Sequence, residues 1–113
     1  MTATLSAAIV VVLHVAFAAA ESVGWTAFAR RLGYDDARIH ATRPLALNQG
    51  AYNFGVAAML GWAVFTSNWP TAQLLLIFIA AMSIVGALSV RWTIFVIQGV
   101  PALIALAFVA SAS

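Results

Sequence analysis

The chain contains no cysteine and no lysine, and charged residues make up only 7% of its 113 residues. The missing cysteines exclude disulfides, thiolate nucleophiles and metal sites built on thiolates. A soluble domain usually carries about 25% charged residues, so this chain lacks the charge to cover a water-facing surface. Its basic residues are five arginines spread between apolar segments, a pattern that indicates membrane topology and excludes nucleic-acid binding.

Apolar sequence is what the chain has in abundance, since 65% of its residues are hydrophobic and its mean hydropathy is +1.04. At about 20 residues per crossing, four transmembrane helices and their connections use the whole length. The pattern predicts an all-α, polytopic membrane protein with a single domain, residues 1–113, folded as a four-helix bundle. The predicted spans are residues 3–28, 44–65, 72–90 and 93–110, with Pro44 in the first turn of the second span. The cytoplasmic connection at residues 29–43 is expected to be a loop or a short interfacial helix.

The end of the first apolar segment has a second interpretation. Small residues in AFAAAES are also typical of a signal-peptide cleavage site. However, no basic residue precedes this segment, and three further apolar segments follow it without a soluble domain to export. We therefore favour a first span that is retained.

The positions of the arginines predict an orientation. Four of them lie between the first two predicted spans, and Arg91 lies between the last two. Four crossings bring these two connections to the same side, and the opposite side has no lysine or arginine. By the positive-inside rule, the arginine side is cytoplasmic and both termini are on the non-cytoplasmic side.

The four tryptophans all lie close to predicted span ends, at Trp25, Trp62, Trp69 and Trp92. Tryptophan rings collect at the boundary between membrane and water. We therefore expect each of them to be an interfacial anchor rather than a ligand-stacking residue. The choice between these two roles is narrowest for Trp25, because it is only four residues from Glu21.

Polar side chains recur within the spans at a common depth. Glu21, Asn53 and Gln98 each lie seven to nine residues from the arginines or the proline that mark the cytoplasmic boundary. At ~1.5 Å of rise per residue, all three lie ~10 to 14 Å below that boundary. Three helices are thus predicted to bring polar groups to one layer.

The sequence LNQGAYN enlarges this layer on the second span. Gln49 and Asn53 are four residues apart and share a helix face, while Asn48 and Tyr52 form a second such pair about 100° around the helix. One pair is expected to face the bundle centre and the other its flank. Gly50 is predicted to be the point at which a neighbouring helix comes close.

Glu21 is the main candidate for a functional group, because a carboxylate in hydrocarbon costs ~2.5 kcal/mol or more. His14 lies on nearly the same face, about two turns deeper, and we regard it as a hydrogen-bonded core histidine in preference to a ligand. No second histidine shares its depth, because His40 falls in the polar loop, so no metal site and no cofactor are predicted. The carboxamides have a structural alternative, since such groups also join helices by hydrogen bonds worth ~0.6 kcal/mol.

Pro101 predicts an irregularity in the last span. Proline cannot donate a hydrogen bond to the carbonyl of Ile97, which leaves a free acceptor and predicts a kink beside Gln98 and Gly99. Within a membrane such an acceptor must find its partner in protein or water.

Three stretches, LHVAFAAAESVGW, LNQGAYNFGVAA and VIQGVPALIAL, together resemble the DUF1304 family of small bacterial membrane proteins. The matching positions are His14, Glu21, Asn48, Gln49, Gly50, Tyr52, Asn53, Gln98, Gly99 and Pro101. The segment containing LGYDD is a looser match. The resemblance implies a multi-pass protein of the bacterial inner membrane and supplies no reaction.

The sequence is consistent with three functional hypotheses. The leading one is a polar pocket that binds, and could transport, a small or lipophilic molecule or a proton, with membrane lipids around it and a homo-oligomer for any transport path. Its lining would be Glu21, Asn48, Gln49, Tyr52, Asn53 and Gln98. The second is a membrane-embedded isomerase or redox enzyme acting on a lipid-like substrate, with Glu21 as acid or base and His14 or Tyr52 as its partner. The third is an accessory subunit whose polar groups only fix helix register, which a closed and fully paired polar core would favour.

Overall fold

The computed structural model describes residues 1–112, and within them it is all-α, with no strand. This confirms the all-α part of the predicted fold class. The elements in chain order are α1 (Thr2–Glu21), α2 (Trp25–Arg31), α3 (Asp36–Phe65), α4 (Trp69–Ser89), a π-helical segment (Phe95–Gly99) and α5 (Val100–Ala112).

Three helical stretches are long and apolar enough to cross a membrane, judged by length and composition: Thr2–Glu21, Trp69–Ser89 and Phe95–Ala112. They give the chain the character of a helical membrane protein. The 30-residue α3, which contains the second predicted span, is not among the three. The polar side chains of LNQGAYN interrupt its apolar sequence.

The first predicted span is divided between two helices. The helix α1 ends at Glu21, and α2 begins at Trp25. Ser22 directs both its backbone N–H and its hydroxyl to the carbonyl of Ala18, at 3.1 and 2.5 Å. The N–H of Gly24 bonds the carbonyl of Ala19 at 2.9 Å, five residues back. These bonds close the last turn of α1, so residues 22–24 separate the two helices.

The cytoplasmic connection at residues 29–43, predicted to be a loop or a short interfacial helix, is largely helical. The end of α2 and the start of α3 occupy it, and α3 begins at Asp36, well before Pro44. The Asp35 side chain caps α3 by accepting a hydrogen bond from the N–H of Arg38 at 2.8 Å. Placing Pro44 in a first helical turn was therefore wrong, because the cap fixes an earlier start. Pro44 lies inside α3 and leaves the His40 carbonyl without the bond that residue 44 would normally supply.

The long helices meet in a core made mostly of small side chains. Both α1 and α4 pack against α3 and α5. Fully buried alanines lie at the contacts, at Ala7, Ala63, Ala72, Ala102 and Ala105. Small residues let membrane helices approach closely, which increases the van der Waals contact between their backbones.

The predicted irregularity near Pro101 takes the form of the π-helical segment. Because Pro101 has no N–H, the helix before it widens, and the N–H of Val100 bonds the carbonyl of Phe95. Gly99 in this segment is buried against Ser83 of α4. The Ser83 hydroxyl is itself fully buried and donates to the carbonyl of Ala80 at 2.6 Å.

We expect Gly99→Ala to destabilise the protein, because a methyl group there would overlap Ser83 Oγ and the ring of Phe95. Forcing an additional methyl group into packed side chains costs roughly 1 to 3 kcal/mol. Gly55→Ala is the matched control, since a methyl group at Gly55 would meet nothing within 4 Å. It should leave the free energy of unfolding unchanged or raise it by about 0.5 to 1 kcal/mol. Unfolding in mixed detergent micelles measures both variants, and equal stabilities would contradict the packing described for Gly99.

Candidate functional site

The centre of the candidate site is a hydrogen bond between two helices. Asn53 Nδ2 in α3 donates to Glu21 Oε2, at the end of α1, over 2.7 Å. Both side chains are half-buried. The two groups that the sequence placed at one depth are therefore in direct contact.

Gly50 permits this contact by allowing the two helices to approach. A Cβ atom at Gly50 would lie 3.0 Å from the carbonyl oxygen of Ala18, and 3.4 Å from the Cβ atoms of Glu21 and Ser22. A larger residue would push α3 away from the end of α1. The prediction that a neighbouring helix comes close at Gly50 is confirmed.

A cavity of about 470 Å³, which we call the polar cavity, opens beside the bonded pair. Its volume lies within the ~300 to 1,000 Å³ of typical ligand sites. Apolar side chains of α4 form one wall, including Ile79 and Met82. The predicted site residues in its lining are His14, Glu21, Gln49, Tyr52, Asn53 and Gln98.

Asn48 is the predicted site residue that lies elsewhere. Its side chain is exposed on the outer face of α3, and it lines neither the polar cavity nor the two cavities described below. The physical reason is the ~100° between successive residues of a helix. Gln49 and Asn53 face Glu21, so Asn48 is turned outward, and Tyr52 reaches only the edge of the cavity with 68% of its surface exposed.

His14 is buried, with 3% of its surface exposed, and has one of its ring nitrogens paired within α1. Its Nδ1 lies 2.9 Å from the carbonyl oxygen of Val10. A carbonyl can only accept, so Nδ1 carries the proton and Nε2 of the neutral ring keeps a lone pair. The ring also packs edge-on against Phe17, at 5.7 Å between centroids. Hydrogen bonding and burial are those expected of a core histidine, although its ring also borders the polar cavity.

A second cavity of about 380 Å³, which we call the aromatic cavity, lies on another side of Glu21. Trp25 and Tyr34 contribute to its walls, and Arg91 and Gln98 contribute polar groups. A smaller cavity of about 170 Å³ adjoins Glu21, Trp25 and Gln49. Glu21 therefore borders all three spaces.

Trp25, which the sequence predicts to be an interfacial anchor, lies in the interior of the protein. Its side chain is buried, with 8% of its surface exposed, whereas Trp62 and Trp92 are 56% and 70% exposed. The Trp25 ring packs against Phe28 and Tyr34, with centroids 6.1 and 6.0 Å apart. The break after α1 turns this ring inward, beside Glu21.

Tyr34 and Arg91 line the aromatic cavity without having been predicted as site residues. The sequence places both in connections between predicted spans. The sequence did indicate one part of an aromatic cluster, because Trp25 and Phe28 are three residues apart and share a face of any helix they occupy. Nothing in the sequence placed Tyr34 against that face, since its position depends on the turn between α2 and α3.

The chemistry of the site is that of hydrogen bonding and proton exchange. No group of three or more His, Cys, Asp or Glu side chains that could hold a metal ion occurs within residues 1–112. Glu21 offers a carboxylate, Gln49 and Gln98 offer amide donors and acceptors, and His14 offers an imidazole. These groups can orient a polar atom of a ligand and accept or release a proton.

Comparison with known protein families identifies the relatives of this chain. The family model described as "Protein of unknown function (DUF1304)" matches residues 8–110. The chain belongs to the DUF1304 family. The match spans every residue of the candidate site and confirms the resemblance drawn from the sequence motifs. Comparisons of this DUF1304 protein with curated proteins and with solved structures find no match.

We expect Asn53→Leu to destabilise the DUF1304 protein, because it leaves the half-buried Glu21 carboxyl group without its donor. The loss should be about 1 to 3 kcal/mol in the free energy of unfolding. Asn48→Leu is the control on the same helix, and it should be neutral or stabilising because it replaces an exposed carboxamide in an apolar environment. Unfolding in mixed detergent micelles measures both, and an equal effect of the two substitutions would contradict the importance of the Asn53–Glu21 bond.

Proposed function

We propose that this DUF1304 protein is a multi-pass membrane protein that binds a small lipophilic molecule in the polar cavity, with Glu21 as its titratable group. The observation that carries the proposal is that the bonded pair of Glu21 and Asn53 borders an open cavity. Among described residues, no donor bonds Glu21 Oε1. A ligand in the cavity would therefore meet a carboxyl oxygen that is still able to bond.

Most of the polar side chains at the site are not bonded to one another, which argues against a purely structural role. A register-fixing core would join its polar side chains to one another. Within residues 1–112, the bond between Asn53 and Glu21 is the only hydrogen bond that joins two of the predicted site side chains to each other. Gln49 and Gln98 border the same cavity without such a bond, so they are available to a ligand.

The membrane arrangement that goes with this function has four spans, with α3 as the additional one. Its support is that α3 packs against both α1 and α4 and contributes Val56, Leu60 and Ala63 to the core. With four spans, the arginine distribution places both termini outside the cytoplasm. We propose the bacterial inner membrane as the location. Movement of the ligand or of a proton across it would require a homo-oligomer, given the size of the chain.

The lack of cysteine allows this topology to be tested by labelling single introduced cysteines. We expect Thr2→Cys and Thr66→Cys to react with a membrane-impermeant maleimide from the periplasmic side of intact cells. Asp36→Cys should react only after the membrane is opened, because it lies on the arginine-rich side. The opened cells serve as the control for reactivity of each position. Labelling of Thr2→Cys and Thr66→Cys from opposite sides would contradict four spans.

A second function, membrane-embedded acid–base catalysis, is favoured by one observation. His14 and Glu21 border the same cavity, and the bond from Nδ1 to Val10 leaves His14 Nε2 as a possible proton acceptor. Two such groups on one cavity could move a proton between two positions of a lipid-like substrate. Recovery of a bound molecule in two isomeric forms, with a single form in His14→Gln, would support this function over binding alone.

We expect a lipophilic molecule to co-purify with the wild-type protein from native membranes and to be depleted in Glu21→Gln, as measured by mass spectrometry. Binding of that molecule should depend on pH in the wild type and lose that dependence in Glu21→Gln, because the carboxamide does not titrate. Asp36→Asn is the control, since it makes the same chemical change at an exposed carboxylate. A pH dependence that survives in Glu21→Gln would contradict the titratable role.

A further inference from the structure

The indole N–H of Trp25 is a buried donor without an acceptor. Trp25 is 8% exposed, and its Nε1 is the one buried side-chain nitrogen or oxygen within residues 1–112 that has no hydrogen-bond partner. Roughly 90% or more of buried polar atoms in proteins have such a partner. The indole ring that carries this N–H lines the aromatic cavity, as does Glu21.

The position of this N–H is fixed by packing. Phe28 and Tyr34 hold the Trp25 ring, the latter edge-on at 85° between ring planes. Tyr34 is held in turn by Arg38, whose guanidinium carbon lies 3.7 Å from the centre of its ring. The indole therefore keeps its orientation in the absence of a hydrogen bond, as a preformed binding site requires.

The polar groups around the aromatic cavity define the chemistry of a suitable ligand. The Trp25 indole and the Arg91 guanidinium can only donate hydrogen bonds, so the ligand must present an acceptor. Glu21 borders the same cavity, and a carboxylate disfavours an anionic ligand at short range. Aromatic and aliphatic side chains form the remaining walls, including Phe17 and Leu32. A neutral carbonyl oxygen on an apolar body meets all three requirements.

We propose that the aromatic cavity binds a neutral lipophilic ketone or quinone, whose carbonyl oxygen accepts a hydrogen bond from Trp25 Nε1. This inference rests on the proposed function, because it names the chemical class of the lipophilic molecule and the position of its polar end. The polar and aromatic cavities share Glu21, Ile94 and Gln98 in their linings. One ligand can therefore place its carbonyl against Trp25 and extend past Glu21 into the polar cavity.

The test compares two probes of similar shape, 2-acetylnaphthalene and 2-isopropylnaphthalene, of which only the first has a carbonyl group. Their binding to the full-length protein in lipid nanodiscs is measured by equilibrium dialysis against empty nanodiscs. Trp25→Phe removes the N–H and keeps an aromatic ring. Trp62→Phe makes the same change at an exposed tryptophan and is the control.

We expect the ketone to bind the wild type and Trp62→Phe equally and to lose about tenfold in affinity for Trp25→Phe, the value of one hydrogen bond in a dry site. The hydrocarbon should bind all three proteins alike. In wild-type protein labelled with ¹⁵N-tryptophan, the ketone and not the hydrocarbon should move the Trp25 indole N–H resonance downfield. This second measurement decides the matter if Trp25→Phe does not fold.

Two results would overturn the inference, and they differ in what they mean for the proposed function. If both probes bind and neither Trp25→Phe nor the indole resonance distinguishes them, the carbonyl assignment is wrong and lipophilic binding stands. If neither probe binds any of the three proteins, while the wild type also carries no molecule from native membranes, the proposed function fails together with the inference.

Discussion

The structure depends on the close approach of α3 to the end of α1 at Gly50. The backbone carbonyl of Ala18 fills the space that a side chain at position 50 would take. This contact brings Asn53 within 2.7 Å of Glu21, and both side chains are half-buried there. Because α1 ends at Glu21, the chain then leads into α2, and Trp25 comes to lie beside the carboxyl group. The bonded pair of Asn53 and Glu21 follows from this glycine contact. The hydrogen bonds of Ser22 and Gly24 make the break after Glu21, and the aromatic cavity lies beside that break.

The common level of polar residues on neighbouring helices could be predicted from the sequence, and direction around a helix could not. The rise per residue is nearly constant, so counting from the arginines placed Glu21 and Asn53 at one level and the structure joins them. Asn48 and Gln49 are adjacent in the sequence, and either side chain could have faced inward. The choice depends on where α1 lies against α3, which no property of α3 alone reveals.

The structural positions of Pro44 and Trp25 depend on contacts that their residue types do not reveal, a local helix cap for Pro44 and a ring contact for Trp25. Pro44 suggested a helix start, but Asp35 caps α3 earlier and the helix tolerates the missing bond at Pro44. The sequence did contain the capping signal, because Asp35 lies three residues before Arg38 and accepts a hydrogen bond from its N–H. Trp25 suggested an interfacial anchor, but its contact with Tyr34 requires the turn between α2 and α3 to be known.

The two backbone irregularities of the apolar helices both occur at the cavities. The break at residues 22–24 adjoins Glu21, and the π-helical segment contains Gln98, and these two side chains line both the polar and the aromatic cavity. Irregular backbone at membrane depth is tolerated where protein or a cavity surrounds it, and π-helical turns are frequent at functional sites. Packing alone would be served by uninterrupted α-helices such as α4. The coincidence of both irregularities with Glu21 and Gln98 therefore favours a site shaped for a ligand over a bundle that merely fixes its own register.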